Sequence, residues 1–370
     1  MPLAARDSTM LTLKDPEDTC VQDAAAPEMA LELAGLTYVD DSKPGYRRER
    51  DADGGFRYLD TRGRPIDNPR VIARIDGLAI PPAYEDVWIC PNPTGHIQAT
   101  ARDARGRKQY RYHPEWTAIR DANKYHHLVE FGLCLPRIRR RVAADLKRPG
   151  LSQDRVTAVV VQLLETTLIR IGNPRYARTN RSYGLTTLTR RHASVAGSRI
   201  RFQFVGKSGV AHDVTVNDAR IARIVKRCME IPGQHLFHYH DDDGNPMALD
   251  SGTVNAYLKE TSGQEFTAKH YRTWAASVYA HAALSRQPWT SETAARRVMA
   301  DVVRQVSQRL ANTPAVCRAC YIHPAILDAY LAGRLPGRGA APGGPRGLNA
   351  DERRLLDFLR QSAELASASD

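Results

Sequence analysis

Three short basic segments hold the side chains best suited to chemistry: Ile169-Arg170-Ile171-Gly172, Val205-Gly206-Lys207 and Lys269-His270-Tyr271-Arg272-Thr273-Trp274. The target they share is a phosphate. A phosphodiester is already an anion, so an enzyme attacking it must fix hydrogen-bond donors around the oxygens over which charge spreads. Arginine suits this task because its planar fork donates two parallel bonds and stays charged when buried. Each segment also has an ordinary structural reading. Arg170 ends an apolar helical stretch, where a cation complements the helix macrodipole. Lys207 sits at a glycine-flanked hairpin tip, where a lysine is simply solvated. Arg272 lies among Trp274, Ala275, Val278 and Tyr279, where a cation near a packed face needs a partner.

Composition points to the same partner. Fifty-three Lys and Arg residues against 41 Asp and Glu leave a net charge of +12, an excess that neutralises phosphates and releases their counterions. A polyanion, nucleic acid first, is the expected ligand. With 42% hydrophobic and 25% charged residues in 370, the chain falls in the globular range and has length for two domains. No stretch approaches the roughly 20 apolar residues that span a bilayer, and residues 1–27 lack a charged start before an apolar block. Six scattered cysteines (Cys20, Cys90, Cys134, Cys228, Cys317 and Cys320) are too sparse for a disulfide scaffold and fit a reducing cytoplasm.

The elements that must position the basic segments follow from period and punctuation. Residues 1–27 read as a flexible tail. From 28 to 113, Gly, Pro, Asp and Asn separate short runs such as Phe56-Arg57-Tyr58-Leu59 and Val87-Trp88-Ile89-Cys90, the rhythm of a small antiparallel sheet with turns at Asp53-Gly54-Gly55 and Thr94-Gly95. From 114 to 332 the spacing is helical. Helices are expected over 116–131, 136–146, 152–169, 218–230, 252–261, 267–284 and 292–310, with Ser251 and Ser291 as N-caps and another helix begun by Thr313-Pro314. A strand pair over 199–204 and 212–216 puts Lys207 at its turn. Residues 333–370 read as a Gly/Pro/Arg linker and a final helix. The fold class is therefore α+β, a β-rich N-terminal domain followed by a larger, mainly α domain.

Taken in order, Arg170, the Val-Gly-Lys207 hairpin, Lys269-x-x-Arg272-Thr and Asn312-Thr313-Pro314 followed nine residues later by Tyr321 resemble the active-site series of type IB DNA topoisomerases, closest to the small poxvirus-like branch found in bacteria. Asp103-Ala104-Arg105-Gly106-Arg107-Lys108-Gln109-Tyr110-Arg111-Tyr112 is similar to that family's DNA-touching segment, and the resemblance covers about 35–330. It implies relaxation of supercoiled double-stranded DNA, without cofactor, metal or ATP, by a clamp of two lobes joined near 113–121 and acting as a nucleoid-associated monomer. Tyr321 corresponds to the nucleophile that forms a 3′-phosphotyrosyl bond, Lys207 to the general acid for the 5′ oxygen, and Arg170 and Arg272 to the pair gripping the nonbridging oxygens. Asn312 stands where many relatives carry histidine, so it can donate a hydrogen bond but no positive charge.

Expected DNA contacts are Arg105, Arg107, Lys108, Gln109, Tyr110 and Tyr112, with Tyr176, Asn180, Lys269 and His270 beside the arginines. On a strand, Gln109 and Arg111 face one way and Tyr110 and Tyr112 the other, leaving Gln109 to read a base edge. His238-Tyr239-His240-Asp241-Asp242-Asp243-Gly244 reads as a strand and turn with both histidines on one exposed face, not a metal site. Cys317-x-x-Cys320 has no second ligand pair and reads as buried thiols. Two other functions compete. A tyrosine recombinase or integrase uses a similar constellation, but usually with histidine where Lys269 stands, and a noncatalytic nucleic-acid-binding protein would leave the Asn312–Tyr321 spacing unexplained.

Overall fold

The computed structural model describes residues 35–51, 53–104, 106–340 and 342–367. The expected tail over 1–27 and the candidate contact Arg105 lie outside the described residues. The chain divides into two compact units, one up to Lys124 and one from Tyr125 onward.

Among the described residues, the first unit is built on a five-stranded antiparallel sheet. Strands β1 (Tyr46–Arg50), β2 (Phe56–Leu59), β3 (Glu85–Ile89), β4 (Ile97–Arg102) and β5 (Lys108–Tyr112) lie in the order β2-β1-β3-β4-β5. The expected turn at Asp53-Gly54-Gly55 joins β1 to β2, and Gly54 takes φ 83°, a conformation that glycine adopts without strain. Helix α1 (Pro69–Gly77) is not foreseen by the strand-like rhythm, although Asn68 caps it by accepting from Arg70 N at 3.0 Å and Pro69 opens it. The core beneath it is small: Ile75, Val87, Ile89, Ala99 and Ala101. Arginines supplement it through their forks, as when Arg48 donates to the carbonyls of Ile80, Pro81 and Tyr84 at 2.7–3.0 Å.

Helix α2 (Pro114–Asp145) contains the division between units and has Pro136 inside it. The two helices expected over 116–131 and 136–146 are therefore one. An interior proline costs about 3 kcal/mol. Leu128, Phe131, Leu135, Ile138 and Val142 recur at steps of three and four, all are buried, and each contributes about 1.5–3 kcal/mol, so packing outweighs the break.

In the second unit, α3 (Gln153–Thr167) ends at Leu168, whose left-handed φ of 56° turns the chain out of the helix. The short helix α4 (Pro174–Asn180) follows, and then a three-stranded antiparallel sheet of β6 (Ala193–Ala196), β7 (Arg199–Val205) and β8 (Ala211–Asn217). The edge strand β6 goes beyond the expected pair. Further on, α5 (Ala219–Glu230), the hairpin β9 (His238–His240) and β10 (Pro246–Ala248), α6 (Ser251–Ser262), α7 (Ala268–Leu284), α8 (Glu292–Leu310), α9 (Pro314–Cys320), α10 (Pro324–Leu331) and α11 (Ala350–Ser367) complete the described chain.

Ser291 and Thr313 cap their helices, but α6 begins at the proposed cap, Ser251, one residue earlier than expected. Asp250, not Ser251, accepts from Thr253 N at 2.7 Å, the stronger acceptor taking the position. His238 is buried at 6% exposure while His240 is exposed, so the paired exposed histidines are not found. The 333–349 stretch is irregular, yet it returns the chain to the core: Leu348, Leu355, Leu356, Phe358 and Leu359 are buried, and Glu352 accepts from Arg139 at 2.7 Å and from Trp274 Nε1 at 3.3 Å. Among the described residues, no helix is long and apolar enough to cross a membrane.

Candidate active site

The site is assembled where helices end. After Leu168 the chain is irregular through Arg170, three residues beyond α3, so Arg170 does not cap that helix. Its backbone is instead strapped to 184–186, with Leu185 N bonded to Arg170 O at 2.9 Å and Thr186 N to Ile171 O at 2.7 Å. Gly184 permits the approach, since a Cβ there would lie 2.5 Å from Arg170 O and Gly172 N. The same strap reaches the hairpin through Tyr183 N, bonded to Val205 O at 2.9 Å.

Lys207 follows at the tip between β7 and β8, a short turn closed by Gly206 N bonded to Val210 O at 2.8 Å, with Ser208 at φ 61°. Its ammonium nitrogen is shielded from solvent, unlike a solvated tip lysine. Beneath it lies His212, stacked on Phe204 at 4.7 Å and packed so closely under Gly206 that a Cβ there would come within 2.6 Å of Nε2. Burial holds the His212 pKa below its ordinary value, and Arg170 and Arg272 push it further down. No motif in the sequence marks His212; the hairpin register sets it opposite Phe204.

Arg272, on α7, is only 5% exposed. Its guanidinium donates to Leu168 O and, at 2.7 Å, to Leu310 O, the closing residues of α3 and α8. Both carbonyls stand at helix C-termini, where the backbone carries partial negative charge. Burial lowers the Arg272 pKa from its usual value, the nearby Tyr321 opposes that shift, and Arg170 reinforces it. Among the described residues, neither Arg170 nor Arg272 forms an ion pair with a carboxylate. Carbonyl dipoles hold Arg272 without cancelling its charge, which leaves it able to attract an anion.

Tyr321 caps the end of α9, with Arg272 Cζ 5.2 Å from its ring centroid. Its backbone carbonyl accepts from Ser277 Oγ on α7 at 3.2 Å, a contact with no sequence signal beyond a serine in a helix. Asn312 follows the left-handed Ala311 at the end of α8. Its Oδ1 accepts from Thr313 N at 3.0 Å, while Nδ2 is buried and has no hydrogen-bond partner among the described residues. Cys317 and Cys320 are buried thiols, and among the described residues no group of three metal-ligating side chains occurs.

The remaining candidates separate by setting. Lys269 and Asn180 are exposed and Tyr176 is half-buried. His270 is engaged locally: its Nδ1 accepts from Thr267 N at 3.0 Å, closing the start of α7, and its ring stacks on Phe131. In the first unit, Arg107 pairs with Asp103 at 2.7 Å and Lys108 with Asp41, while the rings of Tyr110 and Tyr112 stack at 5.9 Å. Gln109 differs from expectation. It is 4% exposed and its amide donates to Asp103 Oδ2 at 3.1 Å, because its side of β5 faces the packed side of the sheet; it is not presented to read a base edge.

Residues 113–331 match the family model for the catalytic core of eukaryotic DNA topoisomerase I, and residues 55–103 match that for the N-terminal domain of bacterial DNA topoisomerase IB. The DNA topoisomerase 1B of Acanthamoeba polyphaga mimivirus is 30% identical over 295 residues, covering 77% of this chain and 87% of the viral protein. The DNA topoisomerase 1B of vaccinia virus (strain Copenhagen) is 22% identical over 250 residues, covering 66% and 75%, and the DNA topoisomerase I of monkeypox virus is similar to the same extent.

Proposed function

The chain belongs to the type IB DNA topoisomerases, and on that premise we propose that it relaxes supercoiled duplex DNA through Tyr321, Arg170, Lys207, Arg272 and Asn312. Tyr321 Oη attacks the scissile phosphorus and forms a phosphotyrosyl bond to the 3′ end, while the 5′ oxygen leaves. Lys207 protonates that oxygen, so no alkoxide is expelled. Arg170 and Arg272 hold the nonbridging oxygens as charge builds on them, and the Asn312 amide donates one further bond. Religation reverses these steps, and the covalent bond conserves the energy of the broken linkage. Turning of the duplex about the intact strand relaxes the supercoil.

The observation that carries this reading is Arg272 set over the Tyr321 ring at 5.2 Å, its guanidinium held by Tyr321 and by the carbonyls at two helix ends, with no carboxylate paired to it among the described residues. A phosphate is the partner such a cation lacks. Arg107, Lys108, Tyr110 and Tyr112 of the 28–113 domain, with Tyr176, Asn180 and Lys269 of the 114–332 domain, serve as DNA contacts in this proposal, and the two domains close on duplex DNA as a monomeric clamp at the nucleoid. Arg107 and Lys108 then exchange their carboxylate partners for phosphates, which makes binding steeply salt-dependent. A tyrosine recombinase is not favoured, since the matching families and the named relatives are topoisomerases.

The test is relaxation of supercoiled plasmid in EDTA without ATP, with Tyr321→Phe in parallel and a detergent-quenched sample checked for protein on DNA 3′ ends. Relaxation and attachment by the natural protein alone are the expected result. Attachment that survives in Tyr321→Phe would overturn the nucleophile assignment.

A further inference from the structure

Tyr321 sits at a poor place for a nucleophile that must be aimed. It caps the short helix α9 at φ −126° and ψ −29°, outside helical geometry. Its N–H and that of Ile322 both bond to the single carbonyl of Cys317 at 3.1 Å, so the local backbone gives two donors one acceptor. Helix ends of this kind fray unless a tertiary contact holds them.

That contact comes from α7. Ser277 is fully buried; its Oγ donates to Tyr321 O at 3.2 Å and accepts from His323 N at 3.0 Å, gripping the main chain on both sides of Ile322. Serines within helices ordinarily turn the hydroxyl back to a carbonyl three or four residues earlier. Ser262 does so with Leu258 and Ser307 with Arg304, both at 2.7 Å. Ser277 directs its hydroxyl across to another element instead. It stands five residues after Arg272, about 7.5 Å along the axis at 1.5 Å per residue. The same helix thus touches the nucleophile twice, with Arg272 over its ring and Ser277 on its backbone.

We propose that Ser277 is a positioning residue for strand cleavage, locking the Tyr321 backbone to the helix that carries Arg272 so that the phenol and the guanidinium reach the phosphate in fixed register. The inference rests on Tyr321 being the nucleophile. Loss of the hydroxyl frees Tyr321 from that register without touching DNA, so the chemical step slows while binding does not.

The experiment follows single-turnover formation of the covalent adduct on a duplex whose scissile linkage is intact and whose 5′ leaving strand is short enough to dissociate after cleavage, alongside DNA affinity and thermal melting, in the full-length protein. Ser277→Ala is expected to form adduct at least about tenfold more slowly, since misplacement of a reacting group by an ångström costs up to about a hundredfold. Its DNA affinity should stay within about threefold, because neither bond of Ser277 faces DNA. Ser262→Ala, which removes a buried hydroxyl bonded at its own helix end, should melt earlier but cleave at the natural rate. Cleavage by Ser277→Ala at the natural rate, or slowed only as much as by Ser262→Ala, overturns the proposal. If the alanine protein does not fold, Ser277→Cys gives the reading: the thiol fills the space as a weaker donor and acceptor, and an unchanged rate is again fatal. Tyr321→Phe runs beside them. Adduct formation by that protein would sink the nucleophile assignment itself, whereas its inactivity together with a fast Ser277→Ala sinks only the role of Ser277.

Discussion

Arg272 is buried at 5% exposure in the middle of a packed helix, its guanidinium fixed by carbonyls from the ends of two others, whereas Lys207 rides on a turn between two strands. Both bring one positive charge to the proposed site. The difference matches their proposed tasks. A group that only holds charge can be built into a core, provided it keeps its proton there, and guanidinium does. A group that must hand over a proton and recover it needs an ammonium, and Lys207 carries one on a turn with its nitrogen shielded from solvent. The buried half is braced by many contacts; the hairpin half depends on a glycine, a histidine and a turn.

Removing the proton donor should have the largest effect. Lys207→Ala is expected to slow cleavage about 10²–10⁴-fold, the range for general acid catalysis, with little change in melting temperature. A substrate with a sulfur leaving group, which departs without a proton, should restore most of the rate; failure to do so would assign Lys207 to charge stabilisation and erase the contrast. Arg272→Lys keeps the charge but loses the fork, and should slow cleavage about 10²-fold and lower stability by about 1–3 kcal/mol, as two buried carbonyls lose donors. Unchanged stability would show that this half is less rigidly built than its contacts indicate.

Gly206→Ala tests the hairpin more gently. The added methyl must displace His212, and about tenfold slower cleavage with near-normal DNA affinity is expected in single-turnover assays. The smallest effect leaves activity aside. Burial pushes the imidazoles of His281 and His323 down to about 4. They stay neutral when folded, while the unfolded chain takes up protons below about 6.5. Their stabilising contribution is therefore complete above that value and declines as pH falls from about 6.5 toward 4, by ~2–3 kcal/mol for each ring at the acid end. His281→Leu should shallow this decline in urea melts run from neutral to acidic pH.

The order of elements in the second unit was legible because long apolar periods dominate it: α5, α7 and α8 run close to the expected spans. Pro136 misled where a buried stripe outweighed a breaker. Helix α1 and strand β6 escaped because each is short and its pattern is set by neighbours. The proposed chemical residues stand out in the sequence as types at spacings, through resemblance. Their geometry was not: nothing in the string Arg-Ile-Gly indicates that Arg170 hangs on a strap to 184–186, nor that a serine five residues past Arg272 grips the chain around Tyr321. Gln109 marks the converse limit, for alternation gave its partners on the strand but not which side of the sheet is packed.

The bond from Trp274 to Glu352 spans 78 residues of sequence and also binds Arg139. On the ribosome, α7 is made long before the acid that braces it. A nascent chain stalled or released ahead of Asn349 has the proposed catalytic residues but leaves the indole and the Arg139 fork without that carboxylate, and the apolar groove destined for Leu355, Leu356 and Leu359 open to water. The brace for the helix that carries Arg272 thus comes from sequence beyond every proposed catalytic residue.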